Sequence, residues 1–448
     1  MSKRSTMIAA FTLAAAAGVI ALAAQSEARA EGKGLPVEEN PSQLDLVSLL
    51  REAEANNPEI AALRLRHQAG AFLPGVAEVP PDPVVSVSYL NDTVTGFTLG
   101  QSEFSNLTFS WTQEVPYSGK LYSGGEVASR EVEMVGSRLD AARLGVAAGI
   151  KGAYAGLYRI DRSASILSER RNLLVSLMQT ARARYETGEG LLENVLKAQS
   201  EITRLDLETE RLKQERLSAS AALNAMAGRS EDRSLAEAVV LPVAVQGIDL
   251  RALEAEALAR SPEIHEREAA VLRDEARLDL ARMQLKPDLI WGAAYQNRGD
   301  LPPMVMGTFG LRLPIHRERK QVQTIVQVGL ETDASKQEVF AVRLRVAAVV
   351  RDLAARASGA ETLSTLYREG LIPQAQSALD SASAAYGVGR ADFLTLLNDL
   401  STVLAYEIDY EKQRSDRVAA LAALEPLTGR ELVAAGNGEA SQDGGHRE

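Results

Sequence analysis

A chain of 448 residues, 46% of them hydrophobic and 24% charged, has the composition of a folded or membrane-associated protein and not of a disordered one. A formal net charge of -11 argues against a nucleic-acid partner, because phosphate binding needs Lys and Arg clustered on one face and no such run stands out. No cysteine occurs, which excludes disulfides, thiolate metal sites and a lipidated N-terminal Cys.

The first segment, residues 1–30, carries Lys3 and Arg4 ahead of an apolar stretch from Met7 to Ala24 and ends on Ala28-Arg29-Ala30. A basic start, an Ala-rich apolar run and a small-residue ending read as a secretory signal cut after Ala30, in preference to an uncleaved anchor. Beyond it no apolar run is long enough for a transmembrane helix. Entry into a membrane would then require β-strands closed into a barrel.

Residues 31–228 form a first structural repeat. NNPEI places Asn57 as a helix N-cap and Pro58 at the first helical position, where its missing N–H costs nothing. Two stretches of period-2 alternation follow, VVSVSYL and NLTFSWTQ, with Val85, Val87 and Tyr89 on one face and Leu107, Phe109 and Trp111 on another. From Pro116 to Pro242 there is no further proline, so helix is predicted at unusual length; Leu121 to Arg184 alone would span roughly 95 Å. Only ARYETGEGLLEN, with Gly188 and Gly190, interrupts it. Downstream, Leu191, Ala198, Leu205, Leu212, Ala219 and Met226 recur every seven residues, joined by Val195, Ile202 and Leu223, as in a coiled-coil seam.

After a linker at 229–249, residues 250–430 repeat the same order. Tyr185 and Tyr386, Gly188 and Gly389, and Gly228 and Gly429 are each 201 residues apart. Pro58 and Pro262, like Pro83 and Pro287, are 204 apart, and Pro116 and Pro314 are 198 apart. Landmarks kept in order at nearly one offset read as an internal duplication. Here Leu289, Trp291, Ala293 and Tyr295 share a strand face, as do Val305, Phe309, Leu311 and Leu313. Pro373 should kink the second long helix, whereas its first-half counterpart is Asn172. Residues 431–448 read as a flexible polar tail.

Two strands per repeat give four, too few to close a barrel, since single-chain outer-membrane barrels start at about 8. Either these are edges of soluble hairpins, or several copies pool their strands. Export and extreme helix length favour pooling.

The signal, the duplicated halves, the NPE helix start, the paired strands, QEVPYSGK running into a long helix and the Tyr-x-x-Gly reversals together resemble the TolC-like outer-membrane efflux channels. The resemblance extends to about Gly429. PPDPVVSVSYLND, WTQEVPYSGK and YREGLIPQAQSALDSASAAYGVGRADFLTLLNDL are closest to its heavy-metal branch. The resemblance implies a mainly α fold with membrane β: a long α-helical coiled-coil barrel plus a trimeric 12-stranded transmembrane β-barrel, four strands from each chain. It also implies an outer-membrane location extending into the periplasm, a homotrimer in outer-membrane lipid, a periplasmic adaptor and an inner-membrane pump of the resistance-nodulation-division type. No cofactor is expected.

On that resemblance, Thr187, Gly188, Glu189, Gly190, Leu191, Val388, Gly389 and Arg390 form the helix tips that dock the adaptor; turn chemistry alone is the other reading. The family narrows its pore just past these tips, at positions matching Glu193, Asn194, Thr395 and Asn398. Family members carry aspartates where this chain has Asn194, Thr395 and Asn398, so Glu193 and Asp392 are the nearest acids that could form a cation-attracting ring. Either could equally be a solvated helix-surface acid.

No nucleophile elbow, phosphate loop or metal-ligand spacing is present, so no catalytic role is expected. His67, His265, His316 and His446 are scattered and eight Met form no cluster. The competing reading is an exported periplasmic coiled-coil adaptor or structural stalk, though an adaptor would carry a compact β-rich domain within its hairpin.

Overall fold

The computed structural model describes residues 44–434 apart from 95, 246 and 248. The predicted signal at 1–30 and most of the polar tail, 435–448, lie outside the described residues.

Asp45 caps α1 (Leu46–Asn56) by accepting from the backbone N–H groups of Val47 and Ser48. Asn57 caps α2 (Pro58–Gly70), its Oδ1 accepting from Glu59 N at 2.9 Å and Ile60 N at 3.2 Å. Its amide also donates to Met226 O at 2.8 Å, so one residue starts a helix and ties it to the far end of the first half. A short α3 (Leu73–Ala77) leads into β1 (Val84–Leu90) and β2 (Asn106–Val115). Then comes α4 (Ser118–Glu186), 69 residues without a break and about 100 Å long, followed after a tight reversal by α5 (Leu192–Met226).

The order then recurs. A two-residue β3 (Val243–Ala244) precedes α6 (Leu250–Arg260), α7 (Pro262–Met283), β4 (Asp288–Arg298), β5 (Leu301–Arg312) and α8 (Gln321–Leu366). Next are α9 (Ile372–Gly387), α10 (Phe393–Thr428) and β6 (Val433–Ala434). Ser261 precedes Pro262 as Asn57 precedes Pro58, but it makes no side-chain cap bond to α7, and its buried hydroxyl has no partner.

Pro373 does not break the second long helix. One π-helical turn, Tyr367–Leu371, joins α8 to α9, and Ile372 N–H reaches back five residues to Tyr367 O. The wider turn accommodates a proline that has no N–H to give and a ring that crowds the preceding turn. Asn172 lies inside α4, where no such adjustment occurs. The two halves therefore differ where the proline distribution said they would.

The predicted coiled-coil seam is buried through Ala198, Ile202, Leu205, Leu212 and Leu223, but Leu191 is 65% exposed. Leu191 is the N-cap of α5, so it lies outside the helix whose periodicity it seemed to extend. Residues Leu432 and Val433, within the segment assigned to a polar tail, are buried, and β6 pairs antiparallel with β3. A buried ion pair anchors them: Lys151 Nζ lies 2.8 Å from Glu425 Oε2 and donates to Val433 O, while Glu425 Oε1 accepts from Leu432 N and Val433 N. A buried pair persists when its remaining hydrogen-bonding capacity is met in this way.

The other sheet has the order β1-β2-β4-β5, antiparallel throughout. Each half contributes one hairpin, and β2 against β4 joins them. β1 and β5 are left as outer edges.

Candidate functional site

Two regions of this fold have surface chemistry that local packing does not explain: the sheet and the helix reversals. On the sheet, the register sets Val85 against Trp111, Val87 against Phe109 and Tyr89 against Leu107. It then sets Trp111 against Ala293 and Phe109 against Tyr295, and finally Leu289 against Leu311, Trp291 against Phe309 and Tyr295 against Val305. Because side chains alternate between faces, one surface collects all four apolar sets read from the sequence. Trp111 and Trp291 meet edge-on there, with ring centroids 5.1 Å apart.

The opposite surface carries Ser86, Ser88, Asn106, Thr108, Ser110, Thr112, Gln296 and Thr308. Ser86 and Ser110 share a hydrogen bond at 2.7 Å across the pair. On the apolar surface Val85, Val87, Phe109, Trp291, Val305 and Phe309 are all exposed. A contiguous apolar face of this extent marks contact with lipid or another chain. Among the described residues no helix is long and apolar enough to cross a membrane.

Both reversals close by the same backbone device. At the first, Gly188 N donates to Tyr185 O at 3.0 Å and Glu189 N to Arg184 O at 2.9 Å; at the second, Gly389 N donates to Tyr386 O at 3.0 Å and Arg390 N to Ala385 O at 2.8 Å. This is the Schellman pattern, whose glycine takes left-handed backbone, here φ 81° at Gly188 and 74° at Gly389. Gly190 does not need positive φ; a side chain there would meet Arg184 Cβ at 3.1 Å, so it serves close approach instead.

The two reversals are bound to each other. Arg184 Nη1 donates to Tyr386 O, and its guanidinium lies over the Tyr386 ring, 5.1 Å from the centroid. Tyr386 packs against Phe393 at 5.3 Å, and Phe393 is fully buried among Leu396, Leu397, Leu400, Leu205 and Ala198. The sequence reading missed Arg184. Its partner is about 200 residues away, and its first-half neighbours give no local sign of the tie.

Of the predicted tip residues, Thr187, Gly188, Glu189, Leu191, Val388, Gly389 and Arg390 are exposed, and Gly190 is half-buried. Glu193, in the first turn of α5, is exposed and lies 2.7 Å from Lys197 Nζ, whose hydrogen bond and charge hold its carboxyl below the usual range. Asp392 is the N-cap of α10 but accepts no capping bond. Both acids therefore sit where a helix N-terminus favours negative charge. Asn194 is half-buried, while Thr395 and Asn398 are exposed on α10. Among the described residues no group of three His, Asp or Glu side chains could hold a metal ion.

Residues 49–229 match the profile of the family described as outer membrane efflux protein. That span runs from α1 through the first reversal to the end of the first half. No curated protein matches the chain. Among solved structures, the outer membrane protein VceC from Vibrio cholerae matches with a TM-score of 0.72 at 16% identity, over 86% of this chain and 96% of that one. CusC, described by the conformational changes that accompany its folding and transmembrane channel formation, matches at 0.73 and 14% over 88% and 95%. The outer membrane channel CmeC from Campylobacter jejuni matches at 0.69 and 13% over 88% and 90%. The fold is thus that of outer-membrane channels.

Proposed function

We propose that this chain is the outer-membrane channel of a tripartite efflux system and acts as a passive conduit, not as an enzyme. The observation that carries this reading is the four-strand apolar face, exposed in the single chain and flanked by two unpaired edges. Unpaired edges of this length are an association hazard unless another strand covers them. Three copies joined β5 to β1 would close a 12-stranded barrel, with the apolar face outward to lipid and the Ser, Thr and Asn face toward water. The long helices of α4, α5, α8 and α10 would continue that tube through the periplasm.

The reversals would then lie at the periplasmic end, where Leu191 and Val388 offer exposed apolar side chains beside Thr187, Glu189 and Arg390. We assign them to contact with a periplasmic adaptor serving an inner-membrane resistance-nodulation-division pump. Glu193 and Asp392, with Asn194, Thr395 and Asn398, are the proposed pore-lining set. Heavy-metal cations are the proposed cargo, resting on the wording of the strand and tip segments; the sheet and tips are equally suited to other solutes.

Fractionation and reconstitution test the reading together. The protein should require detergent for extraction from outer membranes, migrate as a trimer and conduct ions in planar bilayers. A soluble periplasmic monomer would replace it with the adaptor or stalk alternative. Deletion followed by a panel of divalent metals, copper, silver and organic toxicants addresses cargo: lost drug tolerance with unchanged metal tolerance would remove the metal assignment.

A further inference from the structure

Where the sheet meets the helices, a cavity of about 430 Å³ opens beside the paired residues Asp288 and Arg312. Its walls bring together cations from separate parts of the chain: Lys120 from the first turn of α4, Lys286 from the turn after α7, Arg312 from the end of β5 and Lys320 before α8. None of these is near the others in sequence except the last two, which is why no basic run announces them.

Two of the four are already neutralised. Buried Lys120 donates to Asp288 Oδ1 at 2.7 Å, and Arg312 is hydrogen-bonded to Glu114. Lys286 and Lys320 are exposed and make no ion pair among the described residues. The cavity therefore retains two uncompensated ammonium groups in a chain whose formal charge is -11. Polar groups fill out the wall, among them Thr324 and Gln321, whose buried amide oxygen has no partner.

The same cavity has an apolar lip. Leu313 lines it on the continuation of the apolar sheet face, and Ile315 beside it is 78% exposed. Cationic groups directly beneath an exposed apolar surface are what the boundary between hydrocarbon and headgroups demands. A lysine at such a boundary can lay its stem along the apolar side and extend its ammonium group to the phosphate level.

We infer that this cavity binds the phosphodiester headgroup of an anionic glycerophospholipid in the leaflet at the helix end of the barrel, with Lys286 and Lys320 contacting the phosphate and Leu313 and Ile315 the upper acyl chains. The inference rests on the sheet being the membrane-embedded part proposed above. A volume of about 430 Å³ accommodates a headgroup and glycerol but not the chains, which would run up the apolar face. The lipid would thus fix the depth and orientation of the sheet at its junction with the helices.

The test uses the full chain, purified in detergent and depleted of lipid. Phosphatidylglycerol or phosphatidylcholine is then added back, and bound lipid is counted by native mass spectrometry. Retention of phosphatidylglycerol should exceed that of phosphatidylcholine at least tenfold, and the double variant Lys286→Gln/Lys320→Gln should lower it at least fivefold. Lys197→Gln/Lys213→Gln, which removes two ammonium groups from α5 and none from the cavity, should leave it unchanged and controls for net charge. Equal retention by the double variant overturns the assignment. So does thermal stabilisation by inorganic phosphate with no lipid preference, which would make the cavity a free-anion site. A double variant that loses oligomer mass while retaining lipid would instead show a second copy covering the lysines, and would also overturn it. Single-channel conductance of the same wild-type preparation reads the channel proposal separately, so failure of one does not imitate failure of the other.

Discussion

At the first reversal Tyr185 is 45% exposed, whereas at the second its counterpart Tyr386 is 5% exposed, covered by the Arg184 guanidinium and packed on Phe393. The two Schellman hydrogen bonds at Gly188 and Glu189 recur at Gly389 and Arg390, so the contrast does not come from the glycine turn. It comes from what the neighbouring helices bring. The second reversal is inserted into the core shared by α4, α5, α9 and α10, and the first supplies the arginine that closes over it. Two turns with the same glycine geometry thus differ in their surroundings: the second is built into the core, and the first leaves Leu191 outward.

The largest effect that could break this comparison is at Phe393. Phe393→Ala removes a fully buried aromatic, and such truncations cost about 3–5 kcal/mol. Hydrogen exchange should show protection lost across the start of α10 and the end of α9. Leu191→Ala should remain within about 0.5 kcal/mol, as expected for an exposed side chain, while weakening capture of the cognate adaptor. Equal destabilisation by both would mean that the first tip is as structural as the second.

Next in size is the tie between the tips. Arg184→Met removes a charged donor and its stacking on Tyr386, for an expected loss of about 1–2 kcal/mol in local stability. Exchange should quicken at Tyr386 to Arg390 and hardly change at Thr187 to Leu191, since only the second tip depends on the guanidinium. Gly188→Ala and Gly389→Ala sharpen the same point. Each forces a Cβ into left-handed backbone at about 1–2 kcal/mol. At Gly389 the new Cβ would also lie 2.8 Å from Arg184 Nη2, so that variant should be the worse of the two and the difference should shrink in an Arg184→Met background. An unchanged difference would separate the glycine from the arginine.

These contrasts mark the limit of what the sequence could disclose. Strand alternation at Val85, Phe109, Trp291 and Phe309 was legible because period-2 patterning is local. The turn glycines were legible because left-handed backbone selects the residue itself. The register that makes four separate alternations into one apolar surface is set by long-range pairing, which no single strand encodes. Arg184 escaped for the same reason, since nothing within its own helix distinguishes it from its solvated neighbours. Pro373 was half legible: an adjustment was required there, but whether the helix would break, bend or widen into a π-turn depends on what α10 packs against it. Leu191 misled because its heptad phase continues past the point where the helix begins.

The smallest predicted effect concerns the two acids beside the tips. Glu193 is fully solvated, and its carboxyl is held below the usual range by the hydrogen bond from Lys197 and by that ammonium's charge. A depressed folded value means that the pair's contribution is complete above the ordinary glutamate range near 4.5 and disappears only as pH falls through the lowered value. Exposure and salt make its share of stability negligible. Its charge is still measurable. Any cation preference that Glu193 gives a reconstituted channel should therefore survive acidification to about pH 4.5. In Lys197→Met the midpoint of that loss should move upward, because the partner that lowers the carboxyl is gone. Glu193→Gln should abolish the titrating component, leaving whatever Asp392 contributes. A preference that titrates identically in wild type and Lys197→Met would place the pore-facing charge at the second tip and leave Glu193 as a helix-surface acid, which would give the pore charge as well as the buried core to the second turn.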